Sequence, residues 1–313
     1  MKKFLGNCCI FGFVALVCIL LVFVYRYIKL HGRADSVFSL KEGQHILVLG
    51  DSHAENSFLE KPDNGIKMLT YSGSPINVSL MRLLELEKRT NLSGIDVCAV
   101  NFCYTYILEW SYKFQIESAW RLLPFAFRYL DLLPIRRVDA IRRLADFTSQ
   151  NINELPPLAT DFSQKLDRGV PITEHSEEWV REQLDDALGR HFRLRESQPD
   201  LFVPNMADRV RETFTAFKEV CDRHAIRLIF YSSPLSKEYR EGIPHWAKEE
   251  FEGLLDEVRG LGIEYYDFMG WGDRALLRDS DHLNKSGAEA FTKMFCDDVI
   301  QKSRTSTLLP SQD

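Results

Sequence analysis

Short apolar runs alternate along the chain with longer segments whose apolar residues recur at every third or fourth position. Short runs bounded by turn residues predict buried strands, whereas the three-to-four spacing predicts amphipathic helices. The predicted strands are His45–Leu49, Ile66–Thr70, Asp96–Phe102, Ile226–Tyr231 and Ile263–Phe268. The predicted helices are Ile76–Lys88, Met206–His224, Trp246–Leu261 and Ser286–Gln301.

The order of these elements predicts an α/β fold. Successive strand–helix units favour a parallel central sheet with right-handed crossovers, and helices then cover the sheet. The alternation stops between residues 104 and 205, where prolines break helical segments and no strand is evident. We therefore predict a helical insertion over 104–205. Its segment Trp120–Ile135, rich in leucine and aromatic residues, is suited to covering a ligand cleft, to lying on a membrane surface or to packing on the sheet.

The amino-terminal part of the chain carries an uncharged apolar run at residues 8–25. A run of about 18 residues approaches the length at which a helix spans a bilayer. We interpret it as a retained membrane anchor, with a cleaved signal peptide and a buried core helix as the alternatives. The run is long for a signal peptide and ends in bulky residues rather than in a small-residue cleavage pattern.

The chain then divides into four predicted parts. Residues 1–28 form the transmembrane anchor, 29–44 a stalk, 45–303 the α/β domain with its insertion, and 304–313 a loose tail. Positive charges flank the apolar run almost equally, so they do not decide its orientation. A short tail ahead of the anchor and a large domain behind it favour a single-pass protein whose domain is extracytoplasmic.

Net charge and cysteine spacing argue against two classes of function. With a formal net charge of −6, the chain lacks the basic balance of a general nucleic-acid binder. The four cysteines beyond the apolar run form no C-x-x-C pair and no metal-ligand spacing, so we predict neither a metal site nor a cofactor. For Cys98 and Cys103 we favour buried free thiols over a disulfide.

Two short motifs near opposite ends of the chain carry residues suited to nucleophilic catalysis. Ser52 follows the first predicted strand within Gly50–His53, and Asp279 and His282 follow the fifth predicted strand. A serine hydroxyl becomes a nucleophile when a histidine takes its proton and a carboxylate orients that histidine. Because parallel strands end at one edge of a sheet, these distant residues can meet there. Each motif alone also fits a helix cap, which is the plainer interpretation.

Together the two motifs resemble the SGNH, or GDSL-like, hydrolase superfamily. Gly50–His53 is similar to its first sequence block, and Asp279–Asn284 followed by Gly287, Ala288 and Phe291 is similar to its last block, D-x-x-H-L-N-x-x-G-A. The resemblance covers roughly residues 45–103 and 205–300. It implies a three-layer α/β/α, flavodoxin-like fold that hydrolyses or transfers acyl esters.

The resemblance also implies roles for individual residues. Ser52 would be the nucleophile, His282 the general base and Asp279 the carboxylate that orients His282. Asp281 is an adjacent alternative to Asp279. We interpret His53 as a neighbour that shapes the site rather than as the base.

An acyl-transfer site also needs donors for the developing oxyanion. The resemblance implies the backbone N–H of Ser52, with Gly73 and Asn101 as the other candidates. The superfamily's usual G-x-N-D pattern is absent, and Val100 precedes Asn101. A turn glycine and a strand-end cap are the structural alternatives for Gly73 and Asn101.

Three hypotheses of function result. The first is a membrane-anchored, extracytoplasmic serine esterase or O-acyltransferase that acts on acyl, most simply acetyl, esters of a cell-envelope or extracellular glycan. The second is a catalytically silent glycan-binding or assembly protein on the same fold. The third is a soluble esterase whose first helix is buried. Hydrolase and transferase share an acyl-enzyme intermediate, so the residues do not separate them.

Overall fold

A five-stranded, all-parallel sheet lies at the centre of the protein. The computed structural model describes residues 35–61, 63–104, 129, 132, 169–197 and 206–301. The strands are β1 (Ile46–Gly50), β2 (Ile66–Thr70), β3 (Val97–Asn101), β4 (Arg227–Ser232) and β5 (Glu264–Asp267). They lie in the order β2-β1-β3-β4-β5. The predicted α/β class with a parallel central sheet is confirmed.

The described helices connect these strands or follow them. They are α1 (Ser52–Ser57), α2 (Ile76–Arg89), α3 (Glu177–Leu188), α4 (Leu194–Ser197), α5 (Met206–Arg223), α6 (Lys237–Gly242), α7 (His245–Gly260) and α8 (Lys285–Met294). Short 3₁₀ turns occupy Ile172–Glu174 and Arg274–Leu276, and π-helical segments occupy Gly189–Arg193 and Phe295–Gln301.

Helices cover both faces of the sheet, which is why its strands are apolar on both sides. Leu49, Val100 and Phe230 lie side by side on β1, β3 and β4, and their side chains join a core formed with α2, α5 and α7. The neighbouring register row, which includes Val48 and Ala99, points the other way into a second core formed with α1 and α8. Side chains therefore alternate between the two cores, as the period of a strand requires.

Each predicted strand and helix is present, with boundaries that shift by one or two residues. β2 occupies the predicted range, while β5 is shorter by one residue at each end. The predicted last helix is α-helical only to Met294 and continues to Gln301 as a π-helix.

The predicted anchor, residues 29–34 of the predicted stalk and the tail lie outside the described residues. Within the part of the chain that the structure describes, no helix combines the length and the apolar character needed to cross a bilayer.

The described part of the predicted insertion, residues 169–197, is helical and lies beside the carboxyl edge of the sheet. The N–H of Ile172 donates to the carbonyl of Leu277 at 2.7 Å. His191 Nδ1 lies 2.6 Å from the hydroxyl of Tyr239 on α6. Apart from residues 129 and 132, the segment Trp120–Ile135 lies outside the described residues.

Candidate active site

The turn between β1 and α1 places Ser52 at the carboxyl edge of the sheet. Gly50 ends β1 with a φ of 150°, a backbone conformation that favours glycine. Asp51 caps α1, since its carboxylate accepts the N–H of His53 at 2.9 Å. Ser52 is consequently the first residue of α1, where backbone N–H groups have no acceptor within the helix.

The structure brings Ser52, His282 and Asp279 together in a hydrogen-bonded chain. Ser52 Oγ lies 3.0 Å from His282 Nε2. His282 Nδ1 lies 3.0 and 3.1 Å from the two carboxylate oxygens of Asp279. When the proton of neutral His282 is on Nδ1, that N–H donates to Asp279 and Nε2 accepts the Ser52 hydroxyl. This arrangement can remove the serine proton as the serine attacks.

The loop that carries Asp279 and His282 is held by its own hydrogen bonds. Asp279 Oδ1 accepts the backbone N–H of Asp281 at 3.1 Å and that of His282 at 2.8 Å. The N–H of Arg278 donates to the carbonyl of His282 at 3.0 Å. The carboxylate therefore orients the imidazole and also fixes the turn on which the imidazole is mounted.

Asn284 and Gly287 anchor this loop to α8. Asn284 caps α8 by accepting the N–H of Gly287 at 2.9 Å, and its amide donates to the carbonyls of Ala275 and Leu277 at 2.7 and 3.3 Å. A Cβ on Gly287 would lie 2.1 Å from the carbonyl oxygen of Leu276, so only glycine fits there. These two positions of the D-x-x-H-L-N-x-x-G-A pattern thus have structural roles.

A second histidine–carboxylate array lies against the first. His53 Nδ1 is 3.0 Å from Asp51 Oδ2, and His53 Nε2 is 3.4 Å from Asp281 Oδ2. The other oxygen of Asp281 lies 3.3 Å from His282 Nδ1. The imidazole rings of His53 and His282 stack, with centroids 4.9 Å apart and planes inclined by 20°. Asp281 therefore contacts both histidines. His53 borders the site, whereas His282 is the histidine that forms the hydrogen bond with Ser52 Oγ.

The three carboxylates favour the cationic forms of both histidines. Burial alone lowers the pKa of His282, but Asp279 and Asp281 outweigh it and raise that pKa to about 9. Burial likewise opposes the charge on His53, while Asp51 and Asp281 help raise its pKa well above the ordinary value. Burial would raise the pKa of Asp281, yet the two histidines hold it well below its usual range.

The two candidate oxyanion residues lie in different environments. Gly73, with a φ of 65°, belongs to the loop after β2, and that loop joins the end of β1 where the N–H of Tyr71 donates to the carbonyl of Gly50 at 3.0 Å. Asn101 is fully buried at the end of β3, and its amide donates to Ser233 Oγ at 2.8 Å. The loop that carries Gly73 therefore lies at the same edge of the sheet as Ser52, whereas the Asn101 amide points toward the interior.

Among the residues that the structure describes, two groups of side chains place ligand-type atoms within 4.8 Å of one another. One group is Asp51, His53 and Cys103. The other is His53, Asp281 and His282, so the two groups share His53. Imidazole, thiolate and carboxylate are ligands that zinc accepts. In this structure, however, these carboxylates and imidazoles contact one another directly at 3.0–3.4 Å, which is the geometry of ion pairs between carboxylates and histidines.

One contact and one residue of this site were not predicted from the sequence. Asp281 and His53 are named in the motifs, but their contact joins two loops distant in sequence. His191 comes from the insertion, and burial lowers its pKa to about 4, so it is neutral beside the charged array. No spacing pattern marks His191, because its position depends on the packing of the insertion against α6.

The sequence matches no family model and no curated protein.

Proposed function

We propose that this protein is an SGNH-type serine esterase or O-acyltransferase with a flavodoxin-like α/β/α fold. The observation that carries the proposal is the chain from Ser52 Oγ through His282 to Asp279, with contacts of 3.0 to 3.1 Å. A serine, a histidine and an aspartate in this geometry are suited to acyl transfer.

The strand order supports the proposed fold. The order β2-β1-β3-β4-β5 is that of flavodoxin-like doubly wound proteins, which bind ligands outside the carboxyl ends of their strands. Ser52 follows β1 and His282 follows β5, so both lie at that edge.

The proposed reaction proceeds through an acyl-enzyme. Ser52 Oγ attacks the ester carbonyl while His282 Nε2 takes the serine proton, and Asp279 stabilises the resulting imidazolium. The N–H of Ser52, at the first position of α1, donates to the oxyanion. His282 then gives the proton to the leaving alcohol. In an esterase water then takes the acyl group from Ser52, whereas in a transferase a sugar hydroxyl takes it.

The proposed substrate class comes from the amino-terminal part of the sequence. The apolar run at residues 8–25 suggests a membrane anchor, and an anchored extracytoplasmic domain suggests an acylated, most simply acetylated, glycan of the cell envelope. Neither inference depends on the geometry of the site.

One observation favours the second candidate, a catalytically silent glycan-binding protein. The amide of Asn101, one of the residues expected to stabilise the oxyanion, donates to Ser233 in the interior. A site with fewer oxyanion donors turns over more slowly, by about 10²–10³-fold for each donor lost.

A fluorophosphonate probe tests the proposed nucleophile. The full-length chain in detergent is expected to be labelled, and Ser52→Ala is expected to abolish labelling. His282→Ala should slow labelling by about 10²–10⁴-fold, the usual contribution of a general base. Ser286→Ala, at an exposed position on α8, is the matched control and should label like the parent.

Two results would contradict the proposal. One is a folded parent protein that takes no label, which would favour the glycan-binding alternative. The other is labelling that persists in Ser52→Ala, which would place the reactive serine elsewhere.

A further inference from the structure

A cleft of about 520 Å³ opens at the carboxyl edge of the sheet, near the end of β5. Its walls include Tyr104, which follows β3, Asp267 and Trp271 at and after the end of β5, and Arg240 and Lys248 on α6 and α7. None of these residues has a part in the proposed acyl transfer. The cleft lies at the same carboxyl edge of the sheet as Ser52.

The distance between the two sites suits one extended ligand. β1 and β5 are three strand spacings apart, about 15 Å along the edge of the sheet. One loop joins them: the N–H of Leu235 donates to the carbonyl of Met269 in the cleft wall at 3.1 Å, and the N–H of Ser236 donates to the carbonyl of Ser280 at 2.9 Å. The cleft is thereby fixed relative to the loop that carries His282.

Two cationic side chains line the cleft without a carboxylate partner among the described residues. Arg240 Nε is buried and makes no hydrogen bond within the part of the chain that the structure describes. The half-buried Lys248 likewise forms no ion pair there. The Arg240 guanidinium lies over the bare backbone of Gly270, where a Cβ would stand only 3.4 Å from Nη1. A guanidinium fork is shaped to bind a carboxylate with two donors.

The carboxylate of Asp267, which also lines the cleft, does not fully neutralise these two cations. One oxygen of Asp267 accepts the Ser232 hydroxyl and the N–H of Met269, each at 2.9 Å, so this carboxylate is held by its own neighbours. Two positive groups against one negative group leave the cleft with an excess of positive charge. An anion is therefore the ligand that its electrostatics favour.

Two aromatic rings give the cleft flat apolar walls. Trp271 packs edge-on against Phe291, with centroids 5.2 Å apart, and Tyr104 packs on Phe251 at 4.4 Å. Their positions are fixed from behind by these contacts, so the rings are preorganised. Rigid amphipathic rings contribute contact area with little loss of conformational entropy. A sugar ring, which has an apolar face and polar edges, matches such walls.

We propose that this cleft is a subsite for an acidic sugar residue of the substrate. Its carboxylate binds Arg240 and Lys248, and its ring packs against Trp271. The assignment rests on the proposed function in one respect, that the substrate is a glycan. It deepens that function by naming the glycan as anionic.

Calorimetric titration of the full-length Ser52→Ala protein tests the subsite without turnover. The probes are a short oligogalacturonate, its carboxyl-reduced neutral counterpart and inorganic phosphate. The acidic oligosaccharide is expected to bind at least about tenfold more tightly than the neutral one, because hydrogen bonds between charged groups carry at least that factor. Tighter binding of phosphate than of the oligosaccharide would reveal a simple anion site and overturn the sugar assignment.

Variants of the cleft locate the binding. Arg240→Met should weaken oligogalacturonate binding by about tenfold or more, and Arg240→Lys, which keeps the charge but loses the fork, should fall between. Arg209→Met is the matched control, because Arg209 lies exposed on α5 and pairs with Glu212. Circular dichroism shows whether each variant folds. Equal affinity for the acidic and neutral probes, or full affinity in folded Arg240→Met, would refute the subsite.

The outcome is independent of the catalytic proposal. Acid-selective binding in a protein that takes no fluorophosphonate would preserve the subsite and support the glycan-binding alternative. Labelling of Ser52 without acid-selective binding would preserve the esterase or transferase and remove the subsite alone.

Discussion

Replacing Asp279 with asparagine should change the pH dependence of Ser52 acylation, and the contacts of His282 give the size of the change. Only neutral His282 can take the serine proton. With its pKa raised to about 9, about 1 % of the imidazole is neutral at pH 7, so the parent's labelling rate should rise about 100-fold between pH 7 and a plateau above pH 9. The parent should therefore work best in alkaline solution.

Asp279→Asn acts on this profile in two opposing ways. Loss of the carboxylate at 3.0 Å lowers the pKa of His282, which moves the midpoint toward neutral pH and supplies more neutral base at pH 7. The same change removes the group that fixes the Nδ1–H tautomer, which lowers the plateau. A serine-protease triad loses ~10⁴-fold in this way. The loss here should be smaller, because Asp281 Oδ1 remains 3.3 Å from the same nitrogen.

The assay is the rate of fluorophosphonate labelling measured from about pH 6 to about pH 10, which brackets the expected midpoint. The ratio of parent to variant rates should be smallest near neutral pH and grow as the pH rises. Asp256→Asn, exposed on α7 and paired with Arg259, is the control and should leave the profile unchanged. A ratio that stays constant across the range, or a midpoint that does not move, would refute the assignment of Asp279 and of the raised pKa.

Two further predictions concern stability. Because the folded-state pKa of His282 is raised to about 9, its stabilising contribution is present below its ordinary pKa of about 6.5 and is lost as the pH rises toward 9. The parent's melting temperature should accordingly fall over that window, and His282→Gln should reduce the slope; an unchanged slope would contradict the assignment. Gly287→Ala places a methyl group 2.1 Å from the Leu276 carbonyl oxygen, and urea denaturation should show a loss of at least about 1–3 kcal/mol. Ser286→Ala, exposed on the same helix, should cost far less, and equal stability of the two variants would show that the loop around Leu276 relaxes freely.

Strands and helices could be predicted because the pattern of apolar residues within each short segment indicates its secondary structure. β1 and β3 are apolar on both sides since each is buried between two helical layers, and such runs are hard to mistake. β5 was predicted too long because it lies at an edge of the sheet and its residues are only partly buried. The change to a π-helix at Phe295 carries no signal in the apolar spacing, which continues to Gln301.

The candidate triad could be predicted for a topological reason. Residues that follow β1 and β5 end at the same edge of a parallel sheet, so Ser52 and His282 could be paired before any contact was known. The link between His53 and Asp281 could not, because it depends on how two loops pack. The direction of the Asn101 amide likewise depends on Ser233, a partner that follows the neighbouring strand β4.

The aromatic contact between Phe58 and the region of α8 has a consequence for biosynthesis. Phe58, just after α1, packs edge-on against Phe291 and Phe295, at 5.3 and 5.0 Å, and this contact holds α8 against α1. Chains fold from the amino terminus as they emerge from the ribosome. Ser52 is therefore made some 230 residues before its proposed base, and the contact between Ser52 and His282 forms only when α8 docks. Under the proposed function, a chain that lacks α8 carries a serine without its base, and acyl chemistry begins only when synthesis has passed that helix.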